Sequence, residues 1–370
     1  MTTASSTTSS RRAKAASGLH RLEGGERALI AAIRSRTPQT GGGLRLGIGD
    51  DCAILRPPAG HEVVVTTDLS LEGVHFRRDW HPPEPVGHRC LARGLSDLAA
   101  MGAKPLGAFL SITVPPELTV RVKGKSWLER FLDGLLALAG EAGVPLAGGD
   151  TAQSPVFNTR GQKQSGLVAA DIVLVGTVKQ GRALLRSKAR PGDVIYVSGA
   201  LGGAAAELLA VGRNPRKFAR QTQAAAGHPH LFPEPRLTTA SKLAMNRGVH
   251  AAIDVSDGLS TDLAHICEES DVAAVLDAAA IPVHALALRA ERDGWVPSAL
   301  GLALHGGEDY ELLFTAAQGA RISPRIAGVA IHPIGEVVAR KGREPRVALR
   351  QRDGKVIALE SQGWEHFSKR

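Results

Sequence analysis

Acidic residues recur beside glycine, serine or threonine at six places in the chain, several of them after apolar runs typical of buried strands. The six stretches are Gly49-Asp50-Asp51, Thr66-Thr67-Asp68, Ser96-Asp97, Gly148-Gly149-Asp150-Thr151, Asp254-Val255-Ser256-Asp257 and Gly306-Gly307-Glu308-Asp309-Tyr310. Carboxylates confined at strand ends and glycine turns repel one another and raise one another's pKa unless a cation lies between them. Because the chain gathers these acids while carrying a net charge of +9, we predict a site for divalent metal and phosphate.

The length and composition predict a soluble protein of two domains, since 370 residues exceed what one ordinary core accommodates. The sequence has no run of eighteen apolar residues, so no membrane partner is expected. The three cysteines form no CxxC pair. This argues against a zinc site or a disulfide framework and favours a cytoplasmic location.

The positive charge does not by itself indicate nucleic acid as a partner. Lysine and arginine are scattered along the chain, and aromatic residues make up only 4% of it. A nucleic-acid surface needs a basic stripe and, for single strands, aromatic side chains that stack on bases. A basic nucleic-acid binder stays open as an alternative, and its binding would weaken steeply with salt.

Strand and helix patterns alternate in both halves, which predicts α/β or α+β domains. We expect a disordered tail over 1–18, an N-terminal domain over 19–180 and a C-terminal α+β domain over 181–370. The predicted helices cover 25–33, 86–101, 126–142 and 204–210, the predicted strands cover 62–67, 107–114, 172–178, 193–198, 251–255 and 311–315, and 156–167 is predicted to be a loop.

A possible phosphate-binding loop at Gly124-Lys125-Ser126 is better explained as a helix start. The first glycine of a Walker A loop is replaced by Thr119, and no strand leads into the segment. Ser126 and Glu129 instead have the spacing of a capping box.

The acidic stretches supply the hard oxygen ligands that Mg²⁺ prefers, and the sequence offers no matching histidine or cysteine set for zinc or copper. Each stretch alone has a simpler explanation. A Gly-Asp pair commonly forms a turn, and an aspartate such as Asp257 commonly caps a helix. His75 and Trp364 are, taken alone, ordinary packed side chains. The joint occurrence of all six stretches favours the metal site.

Eight segments carry a resemblance to a known family. In chain order they are LGIGDDCAIL, VVTTDLSLEGVHF, LSDLAAMGAKP, LAGGDT, GRALLRSKARPGD, AIDVSDGLSTDL, GGEDYELLF and GWEHF. As a set they resemble the thiamine-monophosphate kinase family, which is related to aminoimidazole-ribonucleotide synthetase and selenophosphate synthetase. The resemblance runs from about residue 20 to 340 and includes the terminal motif.

The resemblance implies a two-domain, synthetase-like kinase fold of the α/β plus α+β class. The N-terminal domain would bind metal and ATP and pair with its copy in a homodimer, where strands of both subunits close a β-barrel. The C-terminal α+β domain would cover the cleft. The implied reaction converts thiamine monophosphate to thiamine diphosphate with ATP and Mg²⁺.

The resemblance also assigns site residues. Metal binding falls on Asp51, Thr66, Thr67, Asp68, Asp97, Asp150, Asp254 and Asp257. Nucleotide contacts fall on Gly149, Asp150, Arg186 and Ser256, and contacts to the thiamine side on His75, Glu308 and Trp364. No general base is implied, because the attacking phosphate oxygen is already anionic near neutral pH. Asp51, Asp68 and Asp97 would assist the transfer through the metal.

Two alternatives on the same scaffold stay open. One is an ATP-dependent enzyme similar to aminoimidazole-ribonucleotide synthetase, against which the GGEDYELLF and GWEHF segments argue. The other is a non-catalytic sensor of nucleotide or thiamine phosphate. The chain also departs from the family in a longer tail, an expanded 156–167 segment and an extended segment between Glu336 and Trp364.

Overall fold

The computed structural model describes residues 20–21, 25–121, 124–159, 162–225, 227–342 and 345–363. The predicted tail over 1–18 and the aromatic candidate Trp364 lie outside the described residues. No helix of the described part is both long enough and apolar enough to cross a membrane.

The first half of the chain carries a four-stranded sheet with two long helices. Its elements are β1 (His20–Arg21), α1 (Gly25–Arg34), β2 (Leu44–Leu46), β3 (Ile54–Leu55), β4 (His61–Leu71), α2 (Pro83–Ala100), β5 (Lys104–Val114), β6 (Val120–Arg121), α3 (Trp127–Ala142), β7 (Leu146–Gln153), β8 (Phe157–Thr159), β9 (Gln162–Gln164) and β10 (Ala169–Lys179). The sheet has the order β4-β10-β5-β7, antiparallel except for the parallel pair β5 and β7.

Helices α2 and α3 pack against each other, and α2 also contacts β4 and β10. Their backbones approach closely at two glycines. A Cβ on Gly87 would lie 1.9 Å from the carbonyl oxygen of Phe131, and one on Gly134 would lie 1.9 Å from that of Glu84. Side chains at either glycine would force the helices apart, so this contact fixes where α2 lies on the sheet.

The opposite face of this sheet carries exposed apolar side chains. Val63, Val65 and Leu69 on β4 are 50%, 62% and 48% exposed. They alternate with side chains that point toward α2, as the two-residue period of a strand requires. A face of this kind is typical of a surface that another protein element covers.

The second half contains an eight-stranded sheet. Its elements are β11 (Asp193–Ser198), α4 (Gly203–Arg213), α5 (Pro215–Phe218), α6 (Leu237–Met245), β12 (Val249–Asp254), α7 (Leu259–Glu269), β13 (Val272–Asp277), α8 (Ala285–Arg292), α9 (Ala299–His305), β14 (Leu312–Ala317), β15 (Arg325–Ile326), β16 (Val329–Ala339), β17 (Val347–Arg350) and β18 (Val356–Ala358). The strand order is β12-β14-β11-β16-β13-β17-β18, with β15 paired to β16.

The two halves each have an apolar core, and a third cluster joins them. In this third cluster Ala99 near the end of α2 lies with Leu243 of α6 and Ala252 of β12. The contact brings the last turns of α2 beside the end of β12. That junction positions the candidate site.

Most of the predicted elements are present, one capping prediction is confirmed, and the predictions for 156–167, Asp68 and Asp150 need correction. Ser126 caps α3 with both hydrogen bonds of the capping box to Glu129, as predicted. The loop prediction for 156–167 is wrong, because β8 and β9 pair there as a short hairpin. Asp68 and Asp150 lie inside β4 and β7 rather than on glycine turns at strand ends.

Candidate active site

One face of α2 carries three charged side chains directed toward the second half of the chain and β4. Arg89, Arg93 and Asp97 lie four residues apart and therefore on one side of the helix. Arg89 Nη2 lies 2.6 Å from Glu308 Oε1, and Arg93 Nη2 lies 2.7 Å from Asp68 Oδ1. The Thr66 hydroxyl donates a short hydrogen bond to Asp97 Oδ2.

The neighbouring residue of α2, Ser96, connects the helix to β12. Its hydroxyl donates to Asp254 Oδ2 at 2.7 Å. Burial, together with the negative charge of Asp97, raises the pKa of Asp254 to about 7, although the Ser96 hydrogen bond lowers it. Two carboxylates from distant parts of the chain therefore lie close enough to repel each other.

Asp68 and Asp97 share this environment. Burial raises the pKa of Asp68 above its ordinary value, and the attraction of Arg93 only partly offsets the effect. Burial also raises the pKa of Asp97, against the hydrogen bond from Thr66 and the positive charge of Arg186. Holding such carboxylates ionised costs free energy, which a bound cation would recover.

The turn after β12 is held by a further carboxylate, Asp262 of α7. Its Oδ2 accepts the backbone N–H groups of Ser256 at 3.1 Å, Asp257 at 3.1 Å and Gly258 at 3.0 Å. The N-cap residue of α7 is Gly258, one position after Asp257, and it makes no side-chain cap. The N–H group of Asp257 is held by Asp262.

These side chains line a cavity of about 610 Å³ between the two halves of the chain. The lining includes these candidates from the sequence: Asp68, His75, Asp97, Asp254, Ser256, Asp257 and Glu308. It also includes Arg93, Arg77, Trp80 and Tyr310. The structure thus brings four of the predicted metal-binding aspartates together with two of the predicted substrate contacts.

Glu308 is held rigidly at one side of this cavity. Its backbone has a φ of 58°, which non-glycine residues rarely adopt, and its N–H donates to Ser256 O at 2.7 Å. Its carboxylate contacts both Arg89 and His230, with Oε2 3.1 Å from His230 Nδ1. Burial alone would raise the pKa of Glu308, but these two partners hold it well below its usual range.

A second histidine, His81, lies behind His230 and contacts it. His81 Nε2 is 3.0 Å from His230 Nε2, and burial lowers the pKa of His81 to about 3. Burial and the charge of Arg89 also lower the pKa of His230. Both imidazoles are therefore neutral at neutral pH.

The remaining acids line a different cavity, of about 520 Å³. Asp51, Gly149 and Asp150 lie there, and both aspartates are exposed. Gly149 has a φ of 148°, and a Cβ there would lie 1.9 Å from Leu110 O, so β7 requires glycine at this position. Four of the six predicted metal-binding residues of the first half are thus divided between two cavities, with Asp68 and Asp97 in the first and Asp51 and Asp150 in the second.

Three further candidates, Thr67, His75 and Arg186, differ in where they lie relative to these cavities. Thr67 points to the outer face of the sheet, where its hydroxyl donates to Asp171 Oδ1 at 3.0 Å. His75 Nδ1 accepts the Leu71 N–H at 3.0 Å, which fixes the ring beside the first cavity. Arg186 is exposed in a 3-10 turn, close enough to lower the pKa values of Asp97 and Asp254.

The sequence interpretation missed Arg93 in the lining of the first cavity. It also missed four polar residues that contact the lining from outside it: Arg89, Ser96, His230 and Asp262. The spacing of four residues back from Asp97 would have found Arg93 and Arg89 on the same helix face. No pattern in the sequence indicated His230, which comes 149 residues after its partner His81 in the chain.

The oxygen-rich lining of the first cavity fits a hard divalent cation better than a soft metal. Asp68, Asp97 and Asp254 offer carboxylates whose pKa values are raised by burial. Carboxylate oxygens are the ligands that Mg²⁺ takes, completing its shell with water and phosphate. Within the described residues, Asp257, Asp262 and His265 also place possible ligand atoms within 4.8 Å of one another.

Comparison with known proteins matches both halves of the chain. Residues 49–178 match the family described as AIR synthase related protein, N-terminal domain, and residues 190–347 match the corresponding C-terminal domain. The chain is 37% identical over 350 residues to thiamine-monophosphate kinase of Escherichia coli (strain K12), covering 93% of this chain and 98% of that protein.

Two solved structures extend the likeness to the fold. One is thiamine-monophosphate kinase from Stenotrophomonas maltophilia K279a, with 36% identity and a TM-score of 0.69, covering 90% of this chain and 97% of that one. The other is AaThiL complexed with AMPPCP and TMP, with 27% identity and a TM-score of 0.67, covering 93% of this chain and 98% of that one. The two-domain architecture is therefore common to all three.

Proposed function

Because this chain belongs to the thiamine-monophosphate kinase family, we propose that it transfers a phosphoryl group from ATP to thiamine monophosphate, forming thiamine diphosphate and ADP. The observation that carries the proposal is the junction of Asp68, Asp97, Asp254 and Asp257 in one cavity between the two halves. Acids that converge from α2, β4 and the end of β12 repel one another there unless a cation lies between them.

Mg²⁺ is the cation we propose for these carboxylates. Asp68, Asp97 and Asp254 would hold it in the first cavity, with Asp257 and the Thr66 hydroxyl beside them, and Asp51 and Asp150 would hold metal in the second. When bound, the metal would neutralise phosphate oxygens that otherwise repel one another. The residues themselves contribute fixed positions, since Thr66, Ser96 and the turn held by Asp262 each restrain one of the ligands.

ATP is the co-substrate, and we propose its place near the second cavity. Gly149 leaves room for close approach to the backbone of β7, and Asp150 lies beside it. Ser256 and the exposed Arg186 border the carboxylates of the first cavity from the other half. A guanidinium at this edge can bind nucleotide phosphate as a charged fork.

We assign the contacts to the thiamine part of the substrate to His75 and Glu308, which both line the first cavity. The thiazolium ring is cationic, and the ionised Glu308 offers it an opposite charge. The third substrate contact, Trp364, remains a proposal from the sequence alone. No general base is needed, because the acceptor phosphate is already anionic.

A homodimer with an intersubunit barrel is also part of the proposal. The apolar outer face of the four-stranded sheet (Val63, Val65 and Leu69) supports it, because a second copy of the sheet would bury these side chains. We further propose a domain boundary near residue 180, between the last strand of the first sheet and the first strand of the second.

Incubation of the purified protein with ATP, Mg²⁺ and thiamine monophosphate tests the proposal. We expect thiamine diphosphate and ADP in equal amounts. A folded protein that binds both compounds without forming either product would be a sensor, and one that turns over only aminoimidazole-ribonucleotide precursors would belong with the related synthetases. Either result would overturn the proposed kinase activity.

A further inference from the structure

Arg93 lies in the first cavity with most of its hydrogen-bonding capacity unused. Its side chain is 16% exposed, and Nη2 contacts Asp68 Oδ1 at 2.7 Å. Nε and Nη1 are buried and have no hydrogen-bond partner among the described residues. Buried donors without a partner are destabilising, and they are uncommon unless a ligand or water completes them.

The surroundings of Arg93 indicate what kind of ligand would complete them. The cavity it lines is rich in acids that we assign to a cation, and the other arginine in the lining of this cavity, Arg77, pairs with Asp79. A guanidinium presents a planar fork of N–H groups that matches the oxygens of phosphate. A cationic group would leave the same donors unpaired, and a neutral acceptor would leave the charge of the guanidinium uncompensated.

Asp68 cannot fully serve both Arg93 and a divalent cation. The guanidinium now takes Asp68 Oδ1, and its positive charge opposes any cation at that carboxylate. Loading of the cation would therefore weaken the pair and leave Arg93 with further donors to satisfy. The phosphate that arrives beside the cation is the group that can accept them.

We propose that Arg93 binds the phosphate of thiamine monophosphate, being held by Asp68 in the free protein and released to the phosphate when Asp68 binds a divalent cation. The acceptor phosphate is favoured over ATP because Arg93 lies one helical turn from Arg89, whose Nη2 is 2.6 Å from Glu308 Oε1 in the same cavity. The inference rests on the proposed function and adds a residue to its substrate site.

The first test uses Mn²⁺ alone, measured by electron paramagnetic resonance on the free protein. Arg93→Gln removes a positive charge beside Asp68, so we expect Mn²⁺ to bind at least about threefold more tightly than to the wild type. Arg130→Gln is the matched control, since it breaks the Arg130–Glu84 pair outside the lining of this cavity. Equal Mn²⁺ affinity in Arg93→Gln and wild type would overturn the exchange at Asp68.

The second test measures thiamine monophosphate and thiamine binding by calorimetry with saturating Mn²⁺ and no ATP. In Arg93→Gln we expect thiamine monophosphate to bind about 10- to 100-fold more weakly, with thiamine unchanged, because only the phosphate contact is lost. Arg93→Lys keeps the charge and should fall between Arg93→Gln and wild type. It also keeps the test usable if the glutamine variant does not fold.

The outcomes separate this inference from the function it rests on. If the wild type forms thiamine diphosphate and Arg93→Gln binds thiamine monophosphate normally, Arg93 is not a phosphate ligand and the kinase stands. An equal loss of thiamine and thiamine monophosphate binding also overturns the inference, since the effect would not pass through phosphate. If the wild type forms no product, the proposed function itself is wrong, whatever the variants bind.

Discussion

His81 and His230 face each other through their Nε2 atoms at 3.0 Å, so only one of the two rings can donate across this contact. The ionised Glu308, 3.1 Å from His230 Nδ1, favours a proton on that nitrogen by its charge. His230 Nε2 is then an acceptor, and His81 carries its proton on Nε2. In this tautomer His81 Nδ1 accepts the N–H of Arg77 at 3.2 Å and donates nothing to the Arg77 carbonyl oxygen 3.0 Å away. The two neutral rings thus join the 73–81 segment to Glu308 in one defined direction.

This arrangement predicts a positioning role for His230. In His230→Asn, Glu308 keeps Arg89 but loses the second contact that fixes its carboxylate. We expect the KM for thiamine monophosphate to rise by up to about tenfold, because one contact to a charged group is lost, with less change in the KM for ATP. Steady-state kinetics in both substrates measure this split. Equal increases in both KM values would mean that the variant disturbs the whole cavity instead.

Asp97→Asn tests the metal site. We expect turnover to fall by a factor of about 100 or more, the loss typical of one preorganised electrostatic contact to a transition state. The fold should remain intact, because Asp97 repels Asp254 and its ionised form is unfavourable where it is buried. Without metal, the thermal midpoint of the variant should therefore equal or exceed that of the wild type.

Turnover and thermal unfolding, each measured with and without Mg²⁺, check this prediction. The wild type should gain stability from the metal and the variant should gain much less. Turnover close to wild type would mean that Asp97 is not a ligand. A variant that unfolds early without metal would show that Asp97 is needed for the fold.

The sequence predicted the acids but not how the fold divides them. The family resemblance assigns metal binding to Thr66, Thr67 and Asp68 alike. In β4 side chains alternate, so Thr66 and Asp68 point toward α2 while Thr67 bonds Asp171 on the other face. The alternation was available from the strand prediction, but which face meets α2 depends on packing that only the tertiary structure defines.

The partners of the acids were harder still to predict. A capping box such as Ser126 with Glu129 is local, and the sequence predicted it correctly. The contact of Ser96 with Asp254 joins residues 158 positions apart and exists only because α2 meets β12 at the junction of the two cores. Local patterns therefore predict elements and candidate residue types, whereas pairings across the two halves require the fold.

His88 predicts a dependence of stability on pH. Its Nε2 donates to Pro233 O at 2.8 Å, and burial lowers its pKa to about 4, with Arg89 adding to the effect. Between the ordinary value of about 6.5 and this value, the unfolded chain binds a proton that the folded chain does not. The free energy of unfolding therefore falls as pH drops from about 6.5 toward 4, by up to about 3 kcal/mol from this residue.

Urea unfolding at pH 7.5 and pH 5 measures the loss. His88→Gln keeps an N–H donor for Pro233 O but cannot titrate, so its stability should fall less over the same interval. His81 and His230 have lowered pKa values in both proteins and contribute equally to each. An unchanged pH dependence in His88→Gln would show that His88 is not buried as a neutral ring.

The exposed face of β4 predicts how the chain assembles. Val65 is 62% exposed on an apolar strand face, so Val65→Asp would place a charge in the proposed interface between two copies. We expect the wild type to have twice the mass of one chain in sedimentation equilibrium, and Val65→Asp to have the mass of one. Met245→Asp is the control, because Met245 is 78% exposed on α6, which is not part of this sheet, and its variant should stay dimeric. A Val65→Asp protein that still forms dimers would place the contact on another surface, and a wild type with the mass of one chain would exclude the barrel.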